Sequence, residues 1–259
     1  MTAVTIIGLG EAGATYAAAL TATGHQVTGF DPVAPSTPAG VTRAATAAEA
    51  CAGADIVLVL TGAAAARSVA QECLPVLEVG SCYADFTSSS PGVMRELGQL
   101  PGKADFADVA ILGPVSALGE KTPLMVSGPG AQAVADLLGP LGVDIEIAEG
   151  EPGAAMAHKL LRSVLMKGLA SVVVEAVNAG KAAGLEDWIR AQIASQRAGD
   201  GQAVIDRFLT GTAKHALRRS KEMQDTASYL SDLGVPAEMT TASAAALSRM
   251  AAETVPALR

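Results

Sequence analysis

Three residues in the stretch GAAMAHKLLRSVLMKG, 153–168, have the types and spacing for acid–base chemistry: Lys159, Arg162 and Ser163. On a helix, positions three and four ahead of a residue lie about 60° to one side and about 40° to the other, so Arg162 and Ser163 straddle the direction of Lys159. A lysine works as a general acid or base near neutral pH only if its pKa falls from about 10.4. Burial and a second cation both lower it, and Arg162 is placed to be that cation. An amine so tuned could take the proton of a hydroxyl or return one to a carbonyl oxygen. The plainer reading of Lys159 is a stem that covers apolar surface while its ammonium reaches water. Ser163 could meet a substrate hydroxyl, or bond the carbonyl one turn back. His158 points elsewhere, and Lys167 reads as surface charge. The stretch is apolar enough to predict a buried helix.

A second constellation lies at the start of the chain. TIIGLGEAGATYAAAL sets Gly8, Gly10 and Gly13 between a predicted strand and a predicted helix, the context a dinucleotide fingerprint requires. Gly8 permits the tight turn, Gly10 lets a pyrophosphate approach the backbone, and Gly13 lets helix pack on strand. Leu9, Glu11 and Ala12 complete the loop, with phosphate facing the helix N-terminus. Asp31, 18 residues beyond Gly13, can accept a hydrogen bond from a ribose 2′-hydroxyl and would repel a 2′-phosphate, which favours NAD, with NADP as the alternative. A turn residue before Pro32 would also explain it. Thr61, Thr87 and Ser88, at the ends of later strands, are expected on the cofactor side. Ser90 before Pro91 reads as a helix N-cap with proline in the first turn. Ser116, in PVSA after a strand, offers a hydroxyl to a carboxylate or phosphate oxygen, or forms a tight connection.

These residues need a scaffold, and the chain supplies one. With 259 residues, 50% of them hydrophobic, it can bury a large core. Near-continuous apolar runs predict strands at 4–9, 26–31, 55–60, 82–86, 106–112, 123–128 and 144–149, alternating with alanine-rich helices. That pattern is a Rossmann-type doubly wound α/β domain over 1–151. Strand signals stop after EGEPG, so 152–259 reads as an all-helical domain. Breaks are expected at Gly199–Gly201, Gly211 and the GVP of 234–236.

The net charge of -8 and an aromatic share of 3% disfavour nucleic acid and anionic membranes as partners. Residues 1–150 carry 5 Lys/Arg against 15 Asp/Glu, and 151–259 carry 13 against 11, so a small anionic substrate would find its counter-charge in the second half. Cys51, Cys73 and Cys82 show no metal or redox spacing and suggest reduced thiols in a cytoplasmic protein, with no metal site. The N-terminus reads as a strand rather than a signal peptide. In KHALRRSKEMQD, His215, Arg218, Arg219 and Glu222 share a helical spacing that suggests a solvated, salt-bridged face.

Taken in order, the motifs resemble those of the β-hydroxyacid dehydrogenases, the family of 3-hydroxyisobutyrate and 6-phosphogluconate dehydrogenases. YADFTSSSPGVMREL is similar to the family's strand ending in Asp and Ser/Thr before a proline-started helix. ILGPVSALGEKTPLMVSG is similar to its substrate loop, and HKLLRS to its catalytic helix. GLGEAGA, HKLLRSVLMKGL and RRSKEMQD resemble most the branch whose 6-phosphogluconate-dehydrogenase-like C-terminal domain has no assigned function. The resemblance implies NAD(P)-dependent hydride transfer on a small 3-hydroxy acid or semialdehyde, with Lys159 as general acid/base. It implies a homodimer through the helical domain, in which His215, Arg218 and Arg219 could reach a partner's site. Two positions depart from the pattern: Ala117 and Leu118 replace a glycine pair after Ser116, and Ser163 stands where the family has asparagine. These departures motivate one alternative, a non-catalytic nucleotide-binding module; a second is an imine reductase, whose relatives share this architecture but usually lack the lysine.

Overall fold

The computed structural model describes residues 1–196 and 200–254. Eight strands, β1 (Ala3–Ile7), β2 (Gln26–Phe30), β3 (Thr42–Arg43), β4 (Ile56–Val59), β5 (Cys82–Asp85), β6 (Asp105–Ile111), β7 (Leu124–Ser127) and β8 (Ile145–Ile147), form one sheet. Its order is β3-β2-β1-β4-β5-β6-β7-β8, and every adjacent pair is parallel except β6–β7. All seven strands expected from the apolar runs are present, and β3 is the addition. It spans only two exposed residues, too few to leave a hydropathic pattern.

The helices are α1 (Glu11–Ala22), α2 (Ala47–Cys51), α3 (Ala66–Cys73), α4 (Pro91–Gly98), α5 (Val115–Leu118), α6 (Ala131–Leu138), α7 (Ala154–Ala182), α8 (Glu186–Gln196), α9 (Gly201–Asp232) and α10 (Glu238–Thr254). Alternate strand residues face opposite layers, as the two-residue period requires. Ile6, Leu58, Ala84 and Val109 meet Tyr16 and Leu20 of α1 and Val134 and Leu138 of α6. Ile7, Val57, Tyr83 and Phe106 meet α2, α3 and α4, together with Ala155 and Met156 at the start of α7. The fold is therefore the doubly wound, Rossmann-type class read from the sequence.

The chain divides into two compact units, Met1–Arg162 and Ser163–Arg259. Strand content ends at Ile147; the first turns of α7 belong to the sheet unit because Ala155 and Met156 are buried in its core. In the helical unit α10 is anchored by Glu175, whose carboxylate accepts from Met239 N at 2.7 Å and Thr240 N at 2.8 Å. Three sequence expectations meet the structure differently here. The GVP break is present, with Gly234 at φ 69° between α9 and α10. No break occurs at Gly211: α9 runs through it, and the irregular residue is His215, at φ −119°, ψ 17°. Gly199 lies outside the described residues, and α9 begins after the N-cap Asp200.

The expectation of a buried helix at 153–168 is corrected. Within that stretch only the first turn of α7 is enclosed; beyond it Leu161, Val164 and Leu165 are 72%, 75% and 65% exposed. Hydropathy registers that a side chain is apolar, and not whether the same chain covers it. No described helix is long and apolar enough to cross a membrane.

Candidate active site

The carboxyl ends of β1, β2, β4 and β5 gather most of the residues singled out above, on the edge where open α/β sheets bind ligands. Between β1 and α1 the three glycines do different work. Gly8 adopts φ +95°, and a Cβ there would lie 2.7 Å from the Leu60 carbonyl oxygen. At Gly13 an added Cβ would sit 1.8 Å from the Gly8 carbonyl oxygen. Around Gly10, by contrast, a Cβ would meet nothing within 4 Å. Gly10 is also the N-cap of α1 and provides no side-chain cap, so the helix start is open to an anion that backbone N–H groups and the helix dipole favour. Glu11 and Gly10 are exposed, Ala12 is half-buried and Leu9 is buried.

Asp31 shapes this loop directly. Its Oδ2 accepts from Leu9 N at 2.7 Å, and its Oδ1 accepts from Val33 N at 2.7 Å and Ala34 N at 2.9 Å. Partial burial pushes its pKa up, but the three N–H donors and the Arg43 charge outweigh that and hold the carboxyl below its usual value. Asp31 is thus both a turn residue and the acid beside the glycine loop, since Oδ2, which accepts only from Leu9 N, has room for a further donor. Arg43, which the sequence did not single out, donates to the Asp31 and Ala34 carbonyl oxygens at 2.8 and 2.9 Å and braces the same turn. At the end of β4, the Thr61 hydroxyl is buried without a hydrogen-bond partner in the protein. A buried hydroxyl left so costs about 1–3 kcal/mol, which a ligand amide or hydroxyl would offset. The open loop, the uncapped helix and this hydroxyl fit a nicotinamide dinucleotide.

Beyond β5 the chain turns sharply. Thr87 is buried; its N–H donates to Asp85 Oδ1 at 2.8 Å, and its hydroxyl pairs with Ser89 at 2.8 Å. Ser88 is exposed and is the only described non-glycine residue with positive φ, at 59°. Such a conformation costs a serine free energy and tends to mark function. It directs Ser88 Oγ to Lys159, whose Nζ donates to it at 2.6 Å. Ser90 then caps α4, accepting from Val93 N at 3.3 Å, with Pro91 in the first turn, as read from the sequence.

Lys159 is half-buried on the second turn of α7, and two strand residues fix the start of that helix. Asp108 Oδ2 accepts from Gly153 N at 2.9 Å, Met156 N at 3.0 Å and Ser127 Oγ at 3.3 Å. Ser127 Oγ in turn accepts from Ala155 N at 3.0 Å. Burial raises the Asp108 pKa, opposed by those donors and by the Lys159 charge. Burial likewise pushes Asp85 up to about 6, with Asp108 adding to the rise and the Thr87 bonds opposing it. Asp108 and Ser127 escaped the sequence reading, and Asp85 entered it only as the strand-ending acid of the resemblance, although YAD and FAD, 23 residues apart, end or cross two predicted strands. An acid in the middle of an apolar strand was the available signal.

The remaining candidates are placed as follows. Ser116 and Ala117 are exposed on α5, a single helical turn where the sequence suggested a loop. Arg162 is exposed and Ser163 half-buried, one turn past Lys159 on the same helix. His158 is exposed, with Nδ1 2.8 Å from the Ala154 carbonyl oxygen. In the helical unit Arg218 pairs with Glu222, and Arg219 donates to Thr212 at 2.6 Å; His215 is exposed.

Comparison with known proteins fits this geometry. Residues 3–145 match the family model for the NAD binding domain of 6-phosphogluconate dehydrogenase, and residues 181–250 match a domain of unknown function, DUF1932. The chain is 26% identical over 155 residues to an uncharacterized 28.5 kDa protein of Methanothermus fervidus, a match spanning 59% of this chain and 59% of that protein. Among solved structures it is similar to the conserved protein MTH1747, itself of unknown function and structurally similar to 3-hydroxyacid dehydrogenases, at 26% identity and TM-score 0.66. That likeness covers 97% of this chain and 99% of that one. An imine reductase of Streptomyces aurantiacus shares the fold at 22% identity and TM-score 0.79, over 97% of this chain and 95% of its own. The chain belongs to the family built on the NAD-binding domain of 6-phosphogluconate dehydrogenase, in the branch that carries this helical domain of unassigned function.

Proposed function

We propose that the protein is an NAD(H)-dependent oxidoreductase that moves a hydride between the cofactor and a small anionic 3-hydroxy acid or its semialdehyde, with Lys159 as general acid/base. The observation that carries this reading is the 2.6 Å bond from Lys159 Nζ to Ser88 Oγ. It sets an amine and a hydroxyl, each able to give or take a proton, beyond the end of β5, on the sheet edge that also carries the nucleotide loop. When bound, the cofactor supplies or accepts the hydride. Lys159 takes the proton from the substrate hydroxyl as it is oxidised and returns it to the carbonyl oxygen in the reverse direction. Ser88 holds the amine in place, and Arg162 and Ser116 supply a charge and a hydroxyl for the substrate carboxylate. Ala117 and Ser163, which depart from the family pattern, belong to the same substrate-binding set. NAD(H) is favoured over NADP(H) because the ionised Asp31 stands where a 2′-phosphate would be repelled.

A panel of 3-hydroxy acids and semialdehydes, run with both cofactors, tests the assignment. The expected result is turnover of at least one small 3-hydroxy acid, with higher kcat/KM for NAD(H). Reduction of cyclic imines with no hydroxy-acid activity would make the protein an imine reductase. Binding of cofactor without turnover of any member would make it a nucleotide-binding module, and preference for NADPH would overturn the role given to Asp31.

The exposed row on α7 supports a homodimer formed through the helical unit. Leu161, Val164, Leu165 and Leu169 recur at helical spacing and are all exposed, more contiguous apolar surface than a soluble monomer usually leaves in water. Light scattering at micromolar concentration should give twice the monomer mass. Leu165→Glu with Val164→Lys should shift it toward one chain; a wild-type monomer would contradict the proposal.

A further inference from the structure

Two similar tripeptides lie side by side in the sheet: Tyr83-Ala84-Asp85 on β5 and Phe106-Ala107-Asp108 on β6. Their register pairs each residue with its counterpart, Tyr83 with Phe106, Ala84 with Ala107, Asp85 with Asp108. The two rings are stacked with centroids 5.6 Å apart. Parallel strands run about 4.8 Å apart, so the paired carboxyl groups are neighbours on the layer that also receives the start of α7. Both aspartates are fully buried, at 0% exposure. Each uses one oxygen to hold backbone, Asp85 the Thr87 N–H and Asp108 the N–H groups of Gly153 and Met156. Each has one buried oxygen, Asp85 Oδ2 and Asp108 Oδ1, with no partner in the protein. Two ionised carboxylates in such a place repel each other, and a single proton held by the pair removes that repulsion.

We propose that Asp85 and Asp108 share one proton as a coupled pair and are positioning residues that set both the place and the basicity of Lys159. This rests on the reading of Lys159 as the acid/base. The placement follows from connectivity. Asp85 holds the turn that aims Ser88, Asp108 holds the helix start that aims Lys159, and those two side chains meet at 2.6 Å. The basicity follows from charge. With the proton in place the pair carries one negative charge beneath Lys159; without it the pair carries two and binds the ammonium more firmly, making the lysine a weaker acid. Among the described residues, the titratable groups facing the pair are Lys159 from α7 and the Tyr83 phenol, which burial keeps neutral by raising its pKa well above the ordinary value.

The test uses full-length protein labelled with 13C at the aspartate carboxyl carbons, titrated by NMR, together with pH-dependent acetylation of Lys159 read by mass spectrometry. Wild type should show a carboxyl signal that titrates near pH 6 and is absent from Asp85→Asn, which keeps the shape of the side chain and cannot ionise. Lys159 acetylation should show an inflection at the same pH in wild type and none in Asp85→Asn, where the lysine reacts several-fold faster at alkaline pH. Because folding raises the pair's pKa, its contribution to stability is full below the ordinary aspartate range and is lost as pH rises through about 6; Asp85→Asn should remove that slope. Titration of every aspartate at or below about pH 4, or superimposable acetylation profiles, would overturn the proposal. None of these readouts needs turnover. If Lys159 does no acid–base chemistry, Lys159→Ala keeps its kcat while the titrations stand, so the two failures are distinct.

Discussion

Replacing Lys159 with alanine should lower kcat at least about 100-fold and leave the affinity for NADH within a factor of about two. The loss is assigned to kcat because the amine meets the substrate oxygen only where the proton moves. The substitution truncates a half-buried side chain on the second turn of α7 and removes a hydrogen bond to an exposed serine and the charge that acts on Asp108. It leaves untouched the bonds from Asp108 and Ser127 that fix the helix start, so folding should change by no more than about 1 kcal/mol. The nucleotide loop, built by Gly8, Gly10, Gly13 and Asp31, does not contain the lysine, so cofactor binding should persist.

The second large effect separates two glycines three residues apart. Gly13→Ala should cost at least about 3 kcal/mol of stability, because its Cβ would lie 1.8 Å from the Gly8 carbonyl oxygen and only backbone movement relieves that overlap. Gly10→Ala should leave stability within about 0.5 kcal/mol, because its Cβ meets no protein atom within 4 Å. The same methyl would stand in the space where a pyrophosphate approaches the helix start, so NADH binding should weaken at least about tenfold. Denaturant titration measures the first quantity and fluorescence quenching by NADH the second. A Gly10→Ala protein that binds NADH like wild type would show that the loop holds no pyrophosphate.

Much of this was legible in the sequence because the signals were local. An apolar run of four to seven residues reports a strand covered on both faces, and seven such runs became seven strands. The fingerprint glycines were legible because their spacing encodes a turn, an approach and a contact that no other residue permits. The N-cap at Ser90 followed from its place before Pro91. What stayed hidden depends on pairing across the sheet. Asp85 and Asp108 are 23 residues apart, and only the β5–β6 register makes them neighbours. Asp108 caps a helix that begins 46 residues later, a relation no local pattern carries. Lys159 was singled out for its type, but its partner Ser88 was read as a cofactor contact, because the left-handed turn that aims it is set by the Asp85 bond to Thr87. Exposure on α7 was misread for a related reason: apolar content says that a surface needs covering, and Ala155 and Met156 at the helix start are the residues of the stretch that join the sheet core.

The most direct measurement is a single-turnover experiment in which Lys159→Ala, preloaded with NADH, is mixed with the semialdehyde that wild type reduces fastest, and loss of cofactor fluorescence is followed. The account predicts a first-order rate at least about 100-fold below wild type at saturating substrate, with the initial fluorescence of bound NADH unchanged. A rate within a few-fold of wild type would contradict it and remove Lys159 from the chemistry.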